Sequence, residues 1–133
     1  MGIKRHGIMK NEKGASAVEF ALILPILVIL VFGIIEFGIA YNNYISITHA
    51  AREGARLAAV NMDEIEGIAW FENRVRESAP SVTIESITLS GQDGVIGDSV
   101  AVTVTGEVLN IEIPLVGSWP VQLASTATLR IEQ

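Results

Sequence analysis

Apolar residues crowd the first third of this chain, and further along they change their spacing twice. From Phe20 to Ile35 sixteen residues pass without a charge or a strongly polar side chain, a helix of about 24 Å at 1.5 Å per residue. Carried across Glu36 to Tyr41, the run approaches the roughly 30 Å of a bilayer's hydrocarbon core. The oil then thins to a stripe: Ile47, Ala51, Ala55 and Ala58 recur at helical spacing with Gly54 beside them, and such small residues let another element approach closely. "NMDEIEGIAWFENRVRESAPS" predicts a second helix, with Asn61 or Asp63 as its cap, an apolar face of Ile65, Ile68, Phe71 and Val75, and Pro80 after its end. Beyond Pro80 the period falls to two. Val82 and Ile84 alternate in one phase and Ile87 and Leu89 in the other, which predicts a bulge near Glu85 and Ser86. Val100, Val102 and Val104, then Leu109, Ile111 and Ile113, then the segment from Val121 to Ile131 alternate in turn.

These periods predict an α+β fold shaped like a lollipop. A long N-terminal transmembrane helix and a second short helix accompany one antiparallel sheet of three or four strands with a single buried face. The divisions are a leader over residues 1–14, the long helix over 15–60 with its membrane half at about 18–41, and a head over 61–133. "SGQDGVIGDS" is turn chemistry. "PLVGSWP", residues 114–120, reads as an apolar loop, its Trp119 either covering the core or touching a partner.

Charge sharpens the picture. Residues 1–14 carry four basic residues against one acid, and the remaining chain carries five against fourteen, +3 followed by −9. A short basic start before an apolar run holds the N-terminus in the cytoplasm and sends the rest across. The acidic remainder argues against nucleic acid, which clustered Lys and Arg would bind. There are no cysteines and two histidines, so thiol catalysis, iron–sulfur clusters and histidine-rich metal sites are not expected. No nucleophile–base pair or phosphate cradle can be assembled, so no enzyme, cofactor or small-molecule substrate is expected. Asp63, Glu66 and Glu72 lack calcium-loop spacing and read as charge at a helix start. Arg52 and Arg56, with Glu53 three residues before Arg56, read as a solvated face. His49 reads as a surface residue and Trp70 as a contact for a neighbour or the lipid surface.

Two acids interrupt the oil. A carboxylate near the centre of a membrane span costs about 2–3 kcal/mol or more. Glu19 and Glu36 stand seventeen positions apart, about 25 Å along a helix, at opposite edges of the slab. That distance excludes paired-carboxylate catalysis. Glu36 reads as an interfacial acid reaching for water. Glu19 needs a cation at its own depth. The small residues Gly14, Ala15, Ser16 and Ala17 come before the apolar run rather than after it, the reverse of a secretory signal peptide. A cut between Gly14 and Ala15 removes only the basic leader and creates an amine one helical turn from Glu19. Pro25 inside the run predicts a kink, with Gly33 and Gly38 as weaker points.

A basic leader ending in glycine, then small residues, then Glu19 and Phe20 at the head of an oily helix resemble a type IV prepilin. More narrowly, "GASAVEFALILPILVILVFGIIEFGIAY" followed by "AAREGARLAAV" resembles the TadE-like family, the minor pilins or pseudopilins of the tight-adherence (Tad) pilus. The resemblance is strong over residues 13–60 and looser over the later strands. It implies cleavage after Gly14 by a prepilin peptidase and an assembly role for Glu19 and Phe20. It also implies other pilin subunits, Tad assembly proteins and the lipid bilayer as partners, with the chain single-pass in the inner membrane and its C-terminus outside. The rival expectations are a major filament subunit, a type II secretion pseudopilin and, from another class, a single-pass membrane sensor.

Overall fold

The computed structural model describes residues 12–61, 68–91 and 95–132. The apolar run and the alanine stripe form one helix, α1 (Glu12–Val60), 49 residues that extend about 73 Å at 1.5 Å each. It runs through Pro25 and past the end of the oil without a break. The second helix, α2, spans Ile68–Glu77. Of the two cap candidates, Asn61 closes the end of α1, its N–H donating to the Leu57 carbonyl at 3.0 Å, and Asp63, like Ile65 and Glu66, lies outside the described residues.

Five strands follow: β1 (Ile84–Ser90), β2 (Ser99–Gly106), β3 (Leu109–Ile113), β4 (Gly117–Val121) and β5 (Ala124–Arg130). They divide into a three-stranded sheet ordered β1-β2-β5 and a two-stranded sheet β3-β4, antiparallel throughout. The bulge expected near Glu85 is present, since the β1–β2 register shifts between Ile84 and Ser86. The segment 114–120 is not a loop throughout. Only Pro114–Val116 turn, and Gly117–Val121 pair with β3. Leu115 at φ 68° and Gly117 at φ 136° reverse the chain, and the Val116 N–H donates to the Ile113 carbonyl at 3.1 Å.

The two sheets are one long ribbon with a step in it. β2 leads into β3 and β4 into β5, and between the pairs Thr105↔Ala124 and Leu109↔Val121 stand three residues on one side and two on the other. The extra residue is a bulge, which bends the ribbon and turns its far end out of the first sheet. The Gly106 N–H bridges to the Leu123 carbonyl at 2.8 Å, and the Glu107 N–H to the Thr83 carbonyl at 2.9 Å, so the step is held by its own backbone.

The core lies between α1 and the three-stranded sheet. Ile47, Ala50, Ala51, Ala55 and Ala58 of α1 bury against Val100, Val102 and Val104 of β2, and Phe71 and Val75 of α2 close one side. Each valine fully removed from water contributes about 1.5–3 kcal/mol. The small stripe sets the helix-to-sheet distance: a Cβ placed on Gly54 would lie 3.0 Å from Val102 and 3.1 Å from Val75. The opposite face of the sheet is uncovered and uncharged at its centre, where Thr88, Thr103 and Thr126 stand in one row and the Thr103 and Thr126 hydroxyls share a 2.8 Å hydrogen bond.

Candidate functional site

The N-terminal half of α1 has no packing partner among the described residues that could explain its oil. Every residue from Gly14 to Leu27 is exposed, and the first buried residue is Ile47. Leu22 is 71 % and Ile26 67 % exposed, values that water disfavours over so long a surface and that lipid or a neighbouring helix satisfies. Among the described residues one helix is long and apolar enough to cross a membrane.

Gly14 and Ala15 sit exposed in the opening turns of that helix, and an added Cβ at Gly14 would meet nothing within 4 Å. Glu19 is exposed one turn beyond Ala15, and its carboxylate has no hydrogen-bond or ion-pair partner among the described residues. Phe20 projects beside it at 61 % exposure. These four residues are neighbours because they follow one another along one helix, and no other described element folds onto them.

Glu36 is different. It is half-buried, and with Phe32 it lines an open groove whose other wall is Glu112, Ile113, Pro114, Gly117 and Ser118 of the β3–β4 hairpin. A second groove places Leu109, at the other end of β3, beside Asn43 and Ile47. From Asn43 back to Phe32 is about 16 Å of helix, and the five residues of β3 rise about 17 Å. The hairpin therefore lies alongside α1 and runs back toward the apolar half. No periodicity pointed to this neighbour of Glu36, although the alternation of Leu109, Ile111 and Ile113 is the signal that starts it.

On the head half, Arg52, Arg56 and His49 are exposed as expected. Arg56 donates from Nε and Nη2 to both carboxylate oxygens of Glu53 at 3.1 and 2.9 Å. That hydrogen bonding holds the Glu53 carboxyl below its ordinary range, with partial burial opposing it. Arg74 and Glu77 form a second exposed pair at 3.3 Å. Among the described residues no three of His, Cys, Asp and Glu come together.

The comparison with known proteins falls on this helix. Residues 14–56 match the model of the TadE-like protein family. The TadE-like segment begins at Gly14 and ends inside the alanine stripe, so it contains Ala15, Glu19, Phe20 and Glu36 and stops short of α2 and every strand. The looser likeness of the later strands lies outside it. No curated protein and no solved structure is similar to this chain at a significant level.

Proposed function

We propose that this protein is a structural subunit of a Tad-type pilus, a minor pilin or pseudopilin. It is held single-pass in the inner membrane by α1, with its N-terminus cytoplasmic and its head outside. The observation that carries the reading is the TadE-like match on a helix whose first half is apolar, exposed throughout Gly14–Leu27 and interrupted near its start by Glu19. A pilus is an assembly in which lipid can be exchanged for neighbouring helices without changing the surface each helix presents.

Cleavage between Gly14 and Ala15 by a prepilin peptidase supplies what Glu19 lacks. The new ammonium group at Ala15 lies at the same depth. Within one chain the helix's own N-terminal dipole also favours an acid there. Between chains, the Ala15 amine of one copy and the Glu19 carboxylate of the next neutralise each other in a low dielectric, and that pairing fixes the axial offset of the two helices. Phe20 packs at the same junction. The chain contributes surfaces rather than chemistry. The large head over residues 61–133 favours a minor or initiating subunit over the bulk of a filament.

The test has two arms. Glu19→Ala leaves the protein folded and membrane-inserted and abolishes its entry into filaments, scored by its presence in sheared pili against its level in membranes. Replacing Gly14 with a bulkier residue blocks maturation, scored by the mass of the membrane-bound protein. Normal incorporation of the Glu19 variant, or Met1 still attached in polymerised material, overturns the proposal.

A further inference from the structure

The β3–β4 hairpin ends in oil. Leu115 is 80 % exposed, Val116 50 % and Trp119 45 %, and Pro114 completes the turn. Nothing among the described residues covers these side chains, and a left-handed backbone at Leu115 presents them. The place of this tip along α1 is what gives it meaning. Ile113 and Pro114 lie at the level of Phe32 and Glu36, where the uninterrupted apolar run ends. A span from Ala15 to Ile35 measures about 31 Å, a full hydrocarbon thickness. Glu36 and Glu112 then stand at its water edge, and the turn reaches roughly one helical turn below it. Aromatic residues gather at the same border. Phe37 and Tyr41 stack with ring centroids 6.2 Å apart, Tyr44 is exposed, and Trp119 faces outward from the hairpin, as in the aromatic belts of membrane–water interfaces.

We propose that the tip of the β3–β4 hairpin, Pro114, Leu115, Val116 and Trp119, is a second membrane contact that enters the interfacial region of the same bilayer leaflet beside α1. This rests on the reading that α1 spans the membrane. The hairpin and its flanks, residues 107–123, contain no Lys or Arg and carry Glu107 and Glu112. Insertion is therefore apolar and owes nothing to anionic headgroups. With two points of attachment, the helix and the hairpin, the head holds one orientation over the membrane instead of swivelling about a single stalk.

The chain has no cysteine, so single-cysteine variants carry a polarity-sensitive dye at one place each. Ile26→Cys reports the span, Val116→Cys the tip and Thr128→Cys the outer face of the sheet. All three are read in phosphatidylcholine nanodiscs holding one copy of the full chain. The expected order of emission, from most apolar to most aqueous, is Ile26, Val116, Thr128, unchanged by high salt or added anionic lipid. As a label-free second measurement, Trp119 in a Trp70→Phe background is quenched by lipids brominated at shallow acyl positions, and Leu115→Asp weakens that quenching. An apolar signal at Ile26 with Val116 as aqueous as Thr128 overturns the hairpin contact while leaving the span standing. An aqueous signal at Ile26 overturns both. A Val116 signal that turns apolar only when two copies share a disc assigns the tip to a neighbouring protomer and overturns the lipid contact.

Discussion

The two halves of α1 share one backbone and have opposite surroundings. Below Glu36 the helix shows large side chains on every side, and all are at least partly exposed. Above Ile47 its inward side is alanine and glycine, fully buried against valines. The difference lies in how tightly each solvent fits. In the proposed membrane setting, lipid chains rearrange around whatever shape the helix presents, so beyond Glu19 and Phe20 bulk and oil suffice for insertion. A protein sheet is rigid and close-packed, so the side chains facing it must be small enough for one fixed distance. Substitutions in the two halves should therefore obey different rules.

The largest effect falls on the packed half. Phe71→Ala removes the ring that closes the side of the core beside Gly54 and is expected to destabilise the head by about 3–5 kcal/mol. Denaturant unfolding in detergent or nanodiscs, followed by circular dichroism, measures it. Next comes a glycine pair. Gly54→Val forces methyl groups onto Val102 and Val75, which a bare Cβ already approaches at 3.0 and 3.1 Å, and is expected to cost about 1–3 kcal/mol. Gly33→Ala meets nothing within 4 Å and leaves head stability within about 0.5 kcal/mol of the parent. Equal losses at the two glycines would erase the contrast between the halves.

The smallest effect belongs to the exposed pair Glu53–Arg56. The hydrogen bond from Arg56 holds the Glu53 carboxyl below its ordinary value of 4.5. A depressed carboxyl stabilises the folded state above its unfolded value, and this contribution disappears as pH falls through the folded one. Glu53→Gln therefore lowers stability slightly and evenly at neutral pH, and the gap to the parent closes below about pH 4.5. Parallel titrations of unfolding midpoint against pH check it, and a gap that widened in acid would refute the assignment.

Much of this architecture was legible in the chain. Period 3.6 marked the stripe Ile47, Ala51, Ala55 and Ala58, and all four are buried. A change of phase between Ile84 and Ile87 marked the β1 bulge, because alternation is a local property that a single inserted residue flips. What escaped were arrangements made between distant segments. β4 looked like a loop because Gly117 and Pro120 are turn residues by habit, yet Pro120 is tolerated in a two-stranded ribbon that has no central strand. The groove joining Glu36 to Glu112 depends on a one-residue step in a ribbon some seventy residues later, and no local period records where that step points the hairpin. Gly14, Ala15, Glu19 and Phe20 were read from order along a single helix, and the structure adds only that they lie exposed on it. In the proposed assembly their partners lie on other molecules.

The uninterrupted course of α1 has a mechanical outcome. Because its 49 residues cross from the oily half to the alanine half with no intervening joint, and the sheet is clamped to the upper part, shaft and head form one crank. A twist or tilt applied to the lower end is passed toward the strands through continuous helix, with Pro25, which lacks a backbone donor, as its most pliable point. If α1 leaves a membrane as the proposed function requires, the head travels with it, since sheet and helix share one core.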